Sequence, residues 1–206
     1  MWTRIVGVVI GLSVLAVADG WAADNNCFAT RTACVDFGPN ALPTSVAEFD
    51  ALQRTFMTAE KEQMRAYGAA ALFLYAAMVR SYDAALGSAF LVRALEEAAR
   101  GPADAAGGQR WSKANDYYVQ RLKARPELVG SYAVGADPKA GYPIAPTKPV
   151  TLRFRQQTKF VSPPSTGATK VFLCTPGAKT CRPMNVTRDA KGVWHVSAFS
   201  SITIGF

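Results

Sequence analysis

Ala66 to Val79 reads AYGAAALFLYAAMV, fourteen residues without a charge. Crossing a bilayer takes about 20 apolar residues, so this run is too short to span one and reads as a buried helix. The charges just before it (Glu60, Lys61, Glu62, Arg65) extend that helix from about Ala59 to Arg80. Upstream, Thr44-Ser45-x-x-Glu48 resembles a capping box, and Val46, Phe49, Leu52 and Phe56 follow at helical spacing. Downstream, Tyr82 to Arg100 carries Leu86, Phe90, Leu91 and Leu95 on one helical face, and Gly101-Pro102 ends it. Ala103 to Gln109 is small and polar and reads as a loop. Trp111 to Ala124 forms a further helix, stopped by Arg125-Pro126.

Beyond residue 124 the pattern changes. Residues 125–149 form a crossover rich in Pro and Gly, and the period then shortens to two. Val150, Leu152 and Phe154 alternate with Thr151, Arg153 and Arg155, the signature of a half-buried strand. Thr169–Thr175 and Arg182–Arg188 make a hairpin, Asp189 to Gly192 turns into Val193–Phe199, and Ile202 to Phe206 closes the set. Strands joined by short turns pair antiparallel. Helices first and strands after give an α+β domain over 44–206: a helical layer (44–124) packed on a C-terminal antiparallel sheet (150–206).

Residues 1–23 read as a secretory signal peptide. A basic start to Arg4 is followed by the apolar run Ile5–Val17 and the small-x-small Gly20-Trp21-Ala22. The expected product is periplasmic or secreted, with no transmembrane anchor after cleavage. Export permits disulfides, and the four cysteines form two matching units, Cys27-x6-Cys34 and Cys174-x6-Cys181. Local pairing is favoured, because Pro176-Gly177 sits at the centre of the second loop. The first pair would staple residues 24–43. Zinc is the rival reading, but its sites prefer x2 to x4 spacings and recruit histidine, of which the chain has one. No metal ligand and no cofactor is assigned.

Two segments carry a resemblance. Ser131-Tyr132-Ala133-Val134-Gly135-Ala136-Asp137-Pro138-Lys139-Ala140-Gly141-Tyr142 resembles an SYxxGAxPxxGY stretch. Arg182-Pro183-Met184-Asn185-Val186, Gly192-Val193-Trp194-His195-Val196 and Phe199-Ser200-Ser201 resemble an RPxxL…GxWxV…FSS close. Both are similar to an uncharacterised bacterial domain family of unknown function, which brings no catalytic residues with it. Members often lack an export signal, so the leader here is a departure.

The net charge of +8 is unevenly placed. Asp24–Asp137 holds 12 basic and 13 acidic residues; Pro138–Phe206 holds 10 basic residues and one acid, Asp189. A basic half suggests an anionic partner, with a solvated sheet face as the bland alternative. Export argues against nucleic acid as that partner. Strand alternation was expected to place Phe154 and Phe172 in the core, away from the basic residues.

Catalytic signals are weak. His195, the sole histidine, shares a strand face with Ser197 by alternation and lies near Ser200 and Ser201, but no Gly-x-Ser-x-Gly elbow exists. Glu60, Glu62, Glu96, Glu97 and Asp116 could pair for glycoside hydrolysis, yet each suits an ordinary solvated helix charge. No catalytic residue is assigned. Tyr132 and Tyr142 sit among Gly and Pro, where they either line a recognition loop or plug the junction of helices and sheet. The expected function is a non-catalytic interaction module of the bacterial envelope that binds an acidic protein or anionic surface. Arg153, Arg155, Lys159, Lys170 and Arg182, with Tyr132 and Tyr142, are its expected contacts. An immunity or accessory protein of a secretion system is one concrete form. The alternative is an envelope hydrolase acting on cell-wall glycan or ester through carboxylates or His195.

Overall fold

The computed structural model describes residues 32–37, 43–102, 110–133, 136–142, 150–155, 160, 167–175 and 181–204, with 32–37 and 138 as backbone only. The expected leader, Cys27 and Lys159 lie outside these residues. So do the loop 103–109 and residues 134–135 and 143–149 of the crossover.

Helix α1 (Val46–Met57) begins as its sequence dictates. The Ser45 hydroxyl accepts from the Glu48 amide at 3.3 Å. The Glu48 carboxylate accepts from the amide and hydroxyl of Thr44 at 2.7 and 2.9 Å. Helix α2 (Glu62–Tyr82) contains the uncharged run, and every residue from Ala66 to Arg80 is buried. A helix that is apolar all round must be enclosed, and this one packs against other helices and against the sheet. Tyr67 stacks on Phe154 at 4.9 Å and Phe73 meets Phe199 at 4.5 Å. Such ring pairs contribute about 0.5–1.5 kcal/mol each beyond the area they bury. On the helical side, Phe49 of α1 stacks on Phe90 at 4.5 Å.

Helix α3 (Ala84–Ala94) starts at Asp83, whose carboxylate accepts from the Leu86 amide at 2.9 Å. It folds back tightly on α2. A Cβ at Gly87 would lie 2.2 Å from the Arg80 backbone nitrogen, so only glycine permits this approach. The helix ends six residues earlier than its periodicity predicts. Leu95 is extended and bridges Val196, and the Glu96 amide donates to the Val196 carbonyl at 3.0 Å. Pairing with a distant strand therefore overrides local helical preference there. A two-residue ladder follows, β2 (Arg100–Gly101) with β3 (Arg110–Trp111). Helix α4 covers Lys113–Ala124. Arg125-Pro126 stops it as expected, but Pro126 also opens a short helix, α5 (Pro126–Gly130), because proline suits a first helical position.

The main sheet has the order β1-β4-β5-β6-β7 and is antiparallel throughout: β1 (Thr32–Phe37), β4 (Val150–Arg155), β5 (Ala168–Cys174), β6 (Arg182–Arg188) and β7 (Trp194–Ala198). The fold is α+β, with the helices in the N-terminal part and four of the five strands of the antiparallel sheet in the C-terminal part. Strand β1 was not expected from its sequence. It lies in the segment ahead of the helices and adds an edge strand beside β4, with Cys34 opposite Arg153. The described part of the expected last strand, residues 202–204, is not a strand, and residues 205–206 lie outside the described residues. Ser200–Thr203 is a 3-10 turn that buries Ile202 beneath the sheet's end. Cys174 and Cys181 form the expected disulfide at the β5–β6 turn. The Cys27–Cys34 pairing lies outside the described residues.

Candidate functional site

The two faces of the sheet have opposite chemistry. Leu152, Phe154, Val171, Leu173, Met184, Val186, Trp194 and Val196 are buried against the helices. The intervening residues face outward, and here Arg155 and Lys170 are exposed while Arg153 and Phe172 are half-buried. The Arg155 guanidinium sits 5.7 Å from the centroid of the Phe172 ring. Cation–π contacts of this exposed kind contribute about 0.5–1 kcal/mol. Phe172 is therefore not a core residue as expected. It shares its face with Lys170, two positions away, because a strand repeats every second residue. Arg153 lies between Cys34 and Cys174 in register, and its Nε has no hydrogen-bond partner among the described residues. No described carboxylate forms an ion pair with Arg153 or Arg155.

The other expected contacts separate from this patch. Arg182 stands opposite Leu173, on the row of the sheet that turns inward, and its charge acts on the Tyr132 hydroxyl. Tyr132 itself is only 1% exposed, and its hydroxyl donates to the Ile202 carbonyl at 3.3 Å. Burial raises its pKa, with Arg182 opposing. It plugs the junction between helices and sheet. Tyr142 is half-buried on a turn in which Gly141 and Tyr142 both take positive φ (74° and 54°). Asp137 holds that turn, its carboxylate accepting from the Lys139 amide at 2.8 Å and its carbonyl from the Tyr142 amide at 3.1 Å.

Of the catalytic candidates, His195 and Glu96 come together around Thr187, which stands opposite His195 in register and donates to Glu96, and each is already engaged. His195 Nδ1 lies 3.2 Å from the Arg93 carbonyl and Nε2 lies 3.3 Å from the Asp189 carboxylate. Both neighbours are acceptors, and neither ring nitrogen faces a serine. The Ser197 hydroxyl is buried without a partner among the described residues, and that of Ser201 donates to the Pro183 carbonyl. Burial works against the Asp189 charge. Donors from the Val193 amide, His195 and the Lys191 amide together hold its pKa below the ordinary carboxylate value. Glu62 pairs with Arg188 at 2.7 Å, Glu96 accepts from the Thr187 hydroxyl at 2.7 Å, and Asp116 accepts from Trp111 Nε1 at 2.8 Å. Among the described residues no three His, Cys, Asp or Glu side chains group as metal ligands. No helix of the described residues is long and apolar enough to cross a membrane.

The helical layer holds a feature that sequence reasoning missed. A groove of about 1030 Å³ opens between α3, β3 and α4. Arg80, only 7% exposed, lies in its wall with its guanidinium 4.9 Å from the centroid of the Trp111 ring. In sequence Arg80 is an ordinary charge at a helix end. The one signal was its position at the close of an uncharged run, seven residues before Gly87.

Fold and surface together define an α+β protein with a basic outer sheet face. The chain belongs to a family described as a domain of unknown function (DUF6935), whose model matches residues 41–206. No curated protein and no solved structure matches it.

Proposed function

We propose that this protein is an exported, non-catalytic interaction module of the bacterial envelope, and that it binds an acidic protein or anionic surface through the outer face of its sheet. One observation carries the reading: Arg153 and Arg155, neither of which has a carboxylate partner among the described residues, stand on an outward face around the half-buried Phe172 ring, with Lys170 on the same face. Guanidinium groups with no described carboxylate partner beside a half-buried aromatic suit carboxylate-rich partners, because arginine engages carboxylates in bidentate geometry and the ring supplies contact area. An immunity or accessory role in a secretion system is the concrete form that the export signal would suit.

The test is a pull-down from native envelope extract with the mature, oxidised protein, eluted along a salt gradient. The triple variant Arg153→Ala, Arg155→Ala, Lys170→Ala is run beside a control of equal charge loss, Arg54→Ala, Lys123→Ala, Lys191→Ala. A stoichiometric acidic partner released by modest salt and lost only from the sheet variant supports the proposal. Capture that resists high salt, or that both variants lose equally, overturns it.

A further inference from the structure

We propose that the groove beside Arg80 is a second binding site, taking a small organic carboxylate with an apolar body. The inference goes beyond the sheet face, which lies on the opposite layer of the fold.

Arg80 reaches the groove because α2 and α3 fold back on each other at Gly87, which leaves the guanidinium enclosed between the helices and Trp111. Its described partners are all neutral: Nε donates to the Ser88 hydroxyl at 3.1 Å, Nη1 to the Val119 carbonyl at 3.3 Å and Nη2 to the Gln120 side chain at 3.5 Å. A guanidinium carries five N–H donors, and these bonds engage three of them. A buried charge ordinarily has an ionic partner, because desolvating it is costly. Here none of the described carboxylates stands at ion-pair distance. Asp116 acts on Arg80 through space, yet its own oxygen already accepts from Trp111 Nε1 at 2.8 Å and Gln120 Nε2 at 3.1 Å. Those two bonds, Trp111's first, hold the Asp116 pKa below its ordinary value, with the charges of Arg80 and Arg110 adding to them, but Asp116 makes no direct ion pair with Arg80.

Around Arg80 the lining divides by chemistry. Lys113 and Arg110 are exposed at the rim and, with Arg80, outnumber the lining carboxylate Asp116, while Ala85, Ala89 and Val92 give one helix a smooth apolar wall. Positive charge therefore collects at one end of a cavity whose size suits a small molecule. A carboxylate head placed on the spare Arg80 donors completes the missing ion pair, and an aromatic or aliphatic body lies along the alanine wall. A fully hydrated inorganic anion would leave that wall uncovered, which selects for a ligand with both parts.

The test uses 3-phenylpropionate as the probe, read by the indole N–H resonances of the full mature protein. Binding should shift the Trp111 resonance in a saturable way and leave Trp194 unmoved. Phenylpropanol, which lacks the charge, and inorganic phosphate, which lacks the body, should each bind at least about tenfold more weakly, the loss expected for one charge-assisted hydrogen bond. Arg80→Met should abolish the shift. Because that variant alters a buried site, Lys113→Glu at the rim and Ala85→Trp in the wall, both at exposed positions, test the same groove without disturbing the core. No saturable shift at Trp111, or an undiminished one in Ala85→Trp, overturns the proposal.

Discussion

The outer sheet face and the helical groove both present arginine, but in opposite physical settings. On the sheet, the half-buried Arg153 and the exposed Arg155 share an outward face, where attraction is weaker per contact, longer in range and screened by salt. In the groove, Arg80 is buried among neutral acceptors, where a partner is felt only on contact but strongly. The first arrangement suits recruitment of an extended acidic surface, and the second suits retention of one small anion. The difference shows that net charge alone says little about what a protein binds. The sheet half carries all of the excess charge, yet the most buried arginine among the described residues lies in the nearly neutral half.

The comparison breaks hardest at Gly87. Gly87→Ala places a methyl within 2.2 Å of the Arg80 backbone and must force α2 and α3 apart. We expect a loss of about 3 kcal/mol in chemical denaturation, together with loss of the Trp111 shift, while the sheet-face binding of the remaining folded fraction is unchanged. Next is the sheet's own staple. Removing the Cys174–Cys181 bridge as a double alanine variant should cost about 2.5 kcal/mol by loop entropy. It should loosen the β5–β6 hairpin and leave the groove intact.

A smaller effect sharpens the contrast through pH. Asp116 has a depressed pKa because Trp111 and Gln120 donate to it. A carboxyl depressed in the folded state contributes stability that is present above its unfolded value, about 3.9. That stability is lost as pH falls through the lower folded pKa. Asp189, beside His195 at the sheet end, behaves with the same sign. Denaturation midpoints should therefore fall with acidification below about pH 4, and Asp116→Asn should flatten part of that slope. An unaltered slope would mean the Trp111–Asp116 bond does not help hold the groove wall.

Much of this architecture was legible locally. The uncharged run at Ala66–Val79 announced α2, and the alternation of Val150–Arg155 announced β4, because burial imposes a period of its own on each element. What escaped depended on partners far away in the chain. Strand β1 exists because β4 offers an edge, and Leu95 leaves its helix because β7 does. Phe172 was misplaced for a different reason: the strand parity that puts it beside Lys170 was in the sequence and was misread. The sheet residues Arg153, Arg155 and Lys170 fall on one face as alternation requires, whereas Arg182 does not share it and Tyr132 is buried. Arg80 gave almost no signal, since its burial is made by Gly87 and by Trp111, thirty-one residues on.

The most direct measurement is the affinity of the oxidised protein for poly-L-glutamate across a range of salt, for the wild type, the Arg153/Arg155/Lys170 triple alanine variant and the Arg54/Lys123/Lys191 control. The control should keep its stability within about 0.5 kcal/mol, while the sheet triple loses about 1 kcal/mol with the Arg155–Phe172 contact and stays folded. If the sheet face is the binding surface, the first triple weakens binding at least about tenfold and flattens the salt dependence, while the control stays near wild type. Equal losses in the two triples would show that only net charge matters, and would contradict the assignment of binding to the sheet.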